Sequence, residues 1–130
     1  IKREGSDVTV VSFGKIIKEA YKAADTLKEE GISVEVIDLR TVRPLDINTI
    51  LESVKKTNRL VILEEAWPFG SVSTEITFRV QDEAFDYLDA PIKRINTADT
   101  PAPYSPVLLA EWLPNADDVV QAVKDVLYIK

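Results

Sequence analysis

The stretch DVTVVSFGKIIKEAYKAADTLKEEGISVEVIDL, residues 7–39, decides the fold. Asp7 to Phe13 is rich in β-branched residues, which fit a pleated surface, and reads as a strand. From Lys15 to Glu30 the apolar residues Ile16, Ala20, Ala23 and Leu27 recur every three or four positions. That spacing gathers them on one helical face and leaves Lys and Glu to water. Gly31 ends the helix, because the residue after a helix often takes positive φ and glycine does so cheaply. Ile32 to Leu39 is strand again. A strand, a crossover helix and a second strand form the unit from which parallel sheets are built.

The pattern continues outward. Pro44 closes the next loop, and Asp46 caps a helix carrying Ile47, Ile50, Leu51 and Val54 on one side. Glu52 and Lys56 stand four apart on it, acid first, the spacing of a surface ion pair. Leu60 to Leu63 is a third strand running into Glu64 and Glu65. After Ala66-Trp67-Pro68-Phe69-Gly70, a helix from Val72 to Phe85 buries Val72, Ile76 and Val80. Pro91 to Ile95 is a shorter, more polar strand suited to a place near a sheet edge. Thr97 to Pro106 is proline-rich and reads as a connector without a regular element, and Ser105 to Glu111 as a link to the last helix. Trp112 and Leu113, before Pro114, read as a packing anchor. Asn115 caps the last helix, Asp118 takes its third position, and Val119, Ala122, Val123, Val126 and Leu127 form the buried stripe.

This order predicts a three-layer α/β/α fold with a mainly parallel sheet, and residues 1–130 as one domain. Right-handed crossovers put the third strand beside the first, on the side away from the second. The topological switch point then lies between Phe13 and Glu64. Ile1 to Arg3 reads as a short extra edge strand, and its isolation before Gly5 as the mark of a piece of something larger.

Composition removes whole classes of chemistry. The 130 residues include no cysteine and no histidine. Disulfides, thiolate nucleophiles, imidazole acid–base catalysis and the usual zinc sites are therefore excluded from this chain. A formal charge of −6 repels a polyphosphate backbone, so nucleic acid is not an expected partner. No run of some eighteen apolar residues is present to cross a bilayer.

Candidate sites are few. Ser12-Phe13-Gly14-Lys15 has one glycine where a dinucleotide fingerprint needs three, so it reads as a turn. Glu64 and Glu65 end a strand at the switch point, but adjacent strand residues point to opposite faces and cannot share one proton-transfer centre. Helix capping or a partner contact suits them better. Asp38 lacks the converging acids and lysine of a phosphoacceptor site. Trp67 and Phe69 place two rings in a loop, to be packed either on the domain or on a partner. Asp86 and Asp89 flank an aromatic–aliphatic step, Tyr87-Leu88, a seat for a basic partner or simply a solvated helix end.

Several linked motifs, taken together, resemble one family. Glu35-Val36-Ile37-Asp38-Leu39-Arg40-Thr41-Val42-Arg43-Pro44-Leu45-Asp46, Val54 to Leu60, and Glu64 to Gly70 are similar to the C-terminal domain of 2-oxoacid dehydrogenase E1 β subunits. Ala84 to Ile92, with Ala98 to Tyr104, points within that family to pyruvate dehydrogenase. The resemblance implies a transketolase C-terminal-type domain whose first short strand is antiparallel. It also implies a missing N-terminal pyrimidine-binding domain, and thiamine diphosphate and magnesium held by that domain and the α subunit, with no catalytic, cofactor-binding or metal-binding residue here. The partners implied are the E1 α subunit, a second β subunit in a heterotetramer, and the subunit-binding domain of E2. By resemblance, Asp89 meets a basic residue of E2, with Asp86 and the chain end, Ile129 and Lys130, near the same surface. Lys130 brings a positive charge that opposes a basic partner. Glu64, Glu65, Trp67, Pro68, Phe69 and Gly70 match the segment facing neighbouring subunits. The compartment implied is cytoplasmic for a bacterial chain and the mitochondrial matrix for a eukaryotic one. A branched-chain 2-oxoacid dehydrogenase, another transketolase-like enzyme, or an independent small-molecule-binding domain using the strand ends near Gly14 and Glu64 are the other readings.

Overall fold

The computed structural model describes residues 1–129. Four strands, β1 (Val8–Ser12), β2 (Val34–Asp38), β3 (Leu60–Leu63) and β4 (Lys93–Ile95), form one parallel sheet in the order β2-β1-β3-β4. The third strand thus lies beside the first, opposite the second, as right-handed crossovers require. Strand β4, short and polar, takes the edge.

The helices are α1 (Ile17–Glu29), α2 (Ile47–Thr57), α3 (Val72–Ala84), α4 (Pro106–Trp112) and α5 (Ala116–Leu127), with a 3₁₀ turn at Phe85–Tyr87. Alternation along the strands sorts the core into two layers. Val8, Val10, Val34, Val36, Val61 and Leu63 pack under α1 and α5. Val11, Ile37, Leu60 and Ile62 pack under α2 and α3. Both sheet faces are therefore apolar and covered, which is why these strands read as nearly continuous hydrophobic runs. Each large aliphatic side chain buried this way contributes about 1.5–3 kcal/mol before entropy is counted.

Local chemistry fixes the helix ends. Gly31 sits at φ 81°, its N–H donating to the Lys28 carbonyl (3.0 Å) while the Ile32 N–H donates to that of Leu27 (2.9 Å). That pair of bonds is the Schellman closure. Asp46 Oδ1 accepts from the Thr49 N–H (3.2 Å) at the start of α2. Asn115 and Asp118 form a reciprocal box at the start of α5, with Asn115 Oδ1 accepting from Asp117 and Asp118 and Asp118 Oδ2 accepting from the Asn115 N–H.

Several expectations need correction. The link after Ser105 is not irregular: α4 occupies it, with Pro106 in the first turn, where a missing N–H costs nothing. Its Leu109 N–H bonds the Ser105 carbonyl at 2.8 Å. Val72 and Leu127 are half-buried at the margins of the core, because each lies at a helix terminus. Glu52 pairs with Lys55 (2.9 Å), not Lys56, since Lys56 turns to Glu35 and Glu4. The short first strand is antiparallel as expected, but it extends to only one bridge, between Arg3 and Val36.

Candidate functional site

The parallel strands deliver Ser12, Asp38, Glu64 and Asn96 to one end of the sheet, where open α/β sheets usually bind ligands. Here two of the four, Ser12 and Glu64, are fully buried. Glu64 is 0% exposed. Its carboxylate accepts the Ser73 N–H at 3.1 Å in the first turn of α3, and the Asn96 side-chain amide at 2.8 Å. A carboxylate against the positive end of α3 is electrostatically favoured. Helix capping, one of the two readings offered for this residue, is what Glu64 does. With no exposed surface, it supports the following loop from inside.

Asp38 is equally occupied. It takes the Arg40 guanidinium at 3.1 Å and the Arg40 N–H at 3.2 Å, holding Arg40 at φ 58°. Lys93 turns toward Asp125 (3.5 Å), away from the strand ends. Among the described residues no three of His, Cys, Asp and Glu converge to hold a metal ion, and no helix is long and apolar enough to cross a membrane.

The loop after Glu64 is held rigidly while its tip faces outward. The Ala66 carbonyl accepts from the Thr97 N–H (3.0 Å) and the Asn96 amide (3.3 Å), and the Pro68 carbonyl from Arg94 (2.9 Å). The Trp67 indole N–H donates to the Thr100 carbonyl at 2.9 Å, yet half the residue stays exposed. Phe69 is 94% exposed. Glu65 is exposed beside it, and Gly70 turns the chain into α3 at φ 67°. The loop is thus tied down by hydrogen bonds at its base while it presents an unpacked phenyl ring at its tip.

A second surface forms where the 3₁₀ turn meets the end of α5. Tyr128 adopts left-handed geometry (φ 57°), and the Ile129 N–H returns to the Lys124 carbonyl at 3.1 Å. Tyr128, Ala90 and Pro91 line the same surface hollows. A groove of about 400 Å³ runs between Phe85, Leu88, Asp89 and Tyr128, and an adjoining hollow of about 430 Å³ includes Asp125 and Ile129. Asp89, 57% exposed in its side chain, lies 3.7 Å from Arg59, which also donates to the Val126 carbonyl at 3.0 Å. Gln121, followed by the nearby Lys93, holds the Asp125 carboxyl below its ordinary value.

The structure thus brings Asp89 and Ile129 to one surface. Asp86 sits apart, in a neighbouring acidic hollow with Asp82 and Glu83. Lys130 lies outside the described residues. Sequence reasoning missed Arg59 and Tyr128. Arg59 is separated from Asp89 by thirty positions of chain, and nothing local announces the left-handed turn at a tyrosine.

Comparison with known proteins agrees with this architecture. Residues 1–119 match the family described as transketolase, C-terminal domain. A protein named pyruvate dehydrogenase E1 component subunit beta from Rhizobium meliloti (strain 1021) is 56% identical over 98% of this chain and 28% of its own length. A protein of that name from Rickettsia bellii (strain RML369-C) is 50% identical over the whole chain and 40% of its own length. The Arabidopsis thaliana protein named subunit beta-1, mitochondrial, is 52% identical over 98% of the chain and 35% of its own. The chain therefore spans well under half the length of these relatives. A solved structure named as a split gene transketolase, inactive beta4 tetramer, superposes with a TM-score of 0.86 at 30% identity, over 98% of this chain and 41% of that one. The four-stranded parallel sheet, its flanking helices and the matched span together place the chain in the transketolase C-terminal domain family.

Proposed function

We propose that this chain is the assembly and docking domain of a pyruvate dehydrogenase E1 β subunit. The observation that carries the reading is the presence of two outward surfaces together with strand-end carboxylates, Asp38 and Glu64, that are already engaged by the domain's own groups. The Trp67–Phe69 loop offers a rigid apolar contact for neighbouring subunits, the α subunit or a second β chain. The Asp89, Tyr128 and Ile129 groove offers an acidic rim around apolar walls, suited to a basic subunit-binding domain of E2. Opposite charges at an exposed rim give orientation and salt-sensitive encounter rather than large affinity.

The chemistry of such an enzyme is decarboxylation of pyruvate and transfer of the acetyl group to the E2 lipoyl group. Thiamine diphosphate with magnesium would supply the carbanion-stabilising chemistry. The donor set of this domain does not fit that centre, since no three metal-ligating side chains converge among the described residues and the chain has no histidine. The cofactor's residues would then belong to the rest of the β subunit and to the α subunit. This chain's work is to fix their arrangement. Under this reading the compartment follows the source, the matrix in a mitochondrial protein and the cytoplasm in a bacterial one.

Calorimetric titration of a basic E2 subunit-binding domain against wild type and Asp89→Ala tests the docking role. The substitution is expected to weaken binding by about 0.2–1 kcal/mol, the range of an exposed ion pair, and to flatten its salt dependence. Equal affinities would remove Asp89 from the contact.

A further inference from the structure

Residues 2–7 lie along the outer edge of β2. The Lys2 N–H donates to the Val36 carbonyl and the Val36 N–H to the Arg3 carbonyl, each at 2.9 Å. The Ser6 and Asp7 N–H groups both reach the Ser33 carbonyl, and the Ser33 N–H returns to Asp7 Oδ2 at 2.7 Å. Side-chain contacts from both faces of the sheet hold this strap. Arg3 pairs with Asp25 of α1 at 2.6 Å. On the other side Glu35, 0% exposed, accepts the Gly5 N–H (3.2 Å) and the Lys56 ammonium, and Lys56 also reaches Glu4 at 3.3 Å.

Gly5 is required by space. A Cβ there would run into the backbone of Val34 and Glu35, so this segment approaches the strand more closely than any larger residue allows. The charge pair is equally specific. Glu35 stands on a strand that otherwise buries only aliphatic residues on its two faces, and its second oxygen, Oε1, has no hydrogen-bond partner. An incompletely satisfied buried carboxylate weakens a fold unless its pairing does something an aliphatic residue would not.

We propose that residues 2–7 are a strap, locked by the Glu35–Lys56 pair, that masks the free edge of β2 against strand pairing with a second copy of this chain. Strand β2 is the outermost strand on its side of the sheet, and apart from Glu35 its buried residues Val34, Val36 and Ile37 are apolar and β-branched. Uncovered, it presents the open N–H and C=O groups that make sheet edges associate. The lock joins three elements at one point: the strap through Gly5 and Glu4, β2 through Glu35, and α2 through Lys56.

Hydrogen exchange on the purified chain tests it with two variants of different kind, Lys56→Met, which removes the charge partner, and Gly5→Ala, which leaves the pair intact and blocks the close approach. In both, the amides of Lys2, Ser6, Asp7 and Val36 are expected to exchange roughly ten- to a hundredfold faster, while those of β1 and β3 keep wild-type protection. On concentrating the variants, Val36 is expected to regain protection as edges pair, with the strap amides still open and sedimentation showing association beyond that of wild type. Exchange that is unchanged, or that accelerates equally through the whole sheet, overturns the lock. Release of the strap without concentration-dependent protection at Val36 overturns the masking.

Discussion

The indole N–H groups of Trp67 and Trp112 donate to one and the same acceptor, the carbonyl oxygen of Thr100, at 2.9 and 2.8 Å. The two rings thereby tie the loop after β3 and the end of α4 to a proline-rich connector that has no ladder of its own. Each of Trp67→Phe and Trp112→Phe keeps a ring and loses the donor, at an expected cost of about 0.5–1.5 kcal/mol in urea unfolding. Because both share one oxygen, the double variant should depart from the sum of the singles. Additivity to within about 0.3 kcal/mol would mean the two indoles act independently.

Glu64 joins the end of β3 to the start of α3. Glu64→Ala leaves the buried Ser73 N–H without that acceptor and opens a void, at an expected cost of about 2–4 kcal/mol. Glu64→Gln keeps one carbonyl acceptor and the shape, so it should cost less than the alanine. The urea midpoints of the two variants give the comparison. A glutamine as damaging as alanine would point to the charge, and not the cap geometry, as the stabilising element.

The Glu35–Lys56 pair gives stability two pH limits. Burial alone would push the Glu35 carboxyl up, but the Lys56 ammonium, the Ser53 hydroxyl and the Gly5 N–H together hold it below its ordinary value of 4.5. Its contribution is therefore complete above 4.5 and fades as pH falls through the lower folded-state value. Its partner Lys56 is raised above 10.5, chiefly by the hydrogen bond to Glu35, so its contribution is complete below 10.5 and fades as pH rises through the higher folded value. Chemical-denaturation midpoints followed from neutral to acid pH should fall less steeply in Glu35→Gln than in wild type. Parallel acid limbs would show that other carboxylates govern the acid transition.

The Asn115–Asp118 box is the firmest local signal in the chain. Asn115→Ala removes the acceptor for two helix N–H groups and is expected to cost about 1 kcal/mol. Since α5 packs against α1 and β3, the loss should appear in the global unfolding transition. Helical signal lost at α5 alone, ahead of the main transition, would show instead that α5 frays as an independent unit.

Much of this fold is legible in the chain because its signals are local. Ile16, Ala20, Ala23 and Leu27 announce a buried helical face, and all four are buried. Gly31 and Asn115 mark their helix ends, and strand order follows from chirality. The candidate surfaces were legible only as composition. Nothing near Asp89 in sequence indicates that Arg59 will lie beside it or that Tyr128 will line the same groove. Helix α4 carried a readable sign, Ser105-Pro106 before an apolar run, but the prolines around it obscured the start.

The sequence by itself determined the elements, their caps, the parallel order of strands and the absence of histidine and cysteine chemistry, since each rests on neighbours within a turn or on periodicity along one element. Only the tertiary structure decided which buried polar groups would meet. Glu35 with Lys56, Glu64 with Ser73 and Asn96, and the two tryptophans on Thr100 are contacts between segments distant in the chain, and their partners are chosen by how the layers stack.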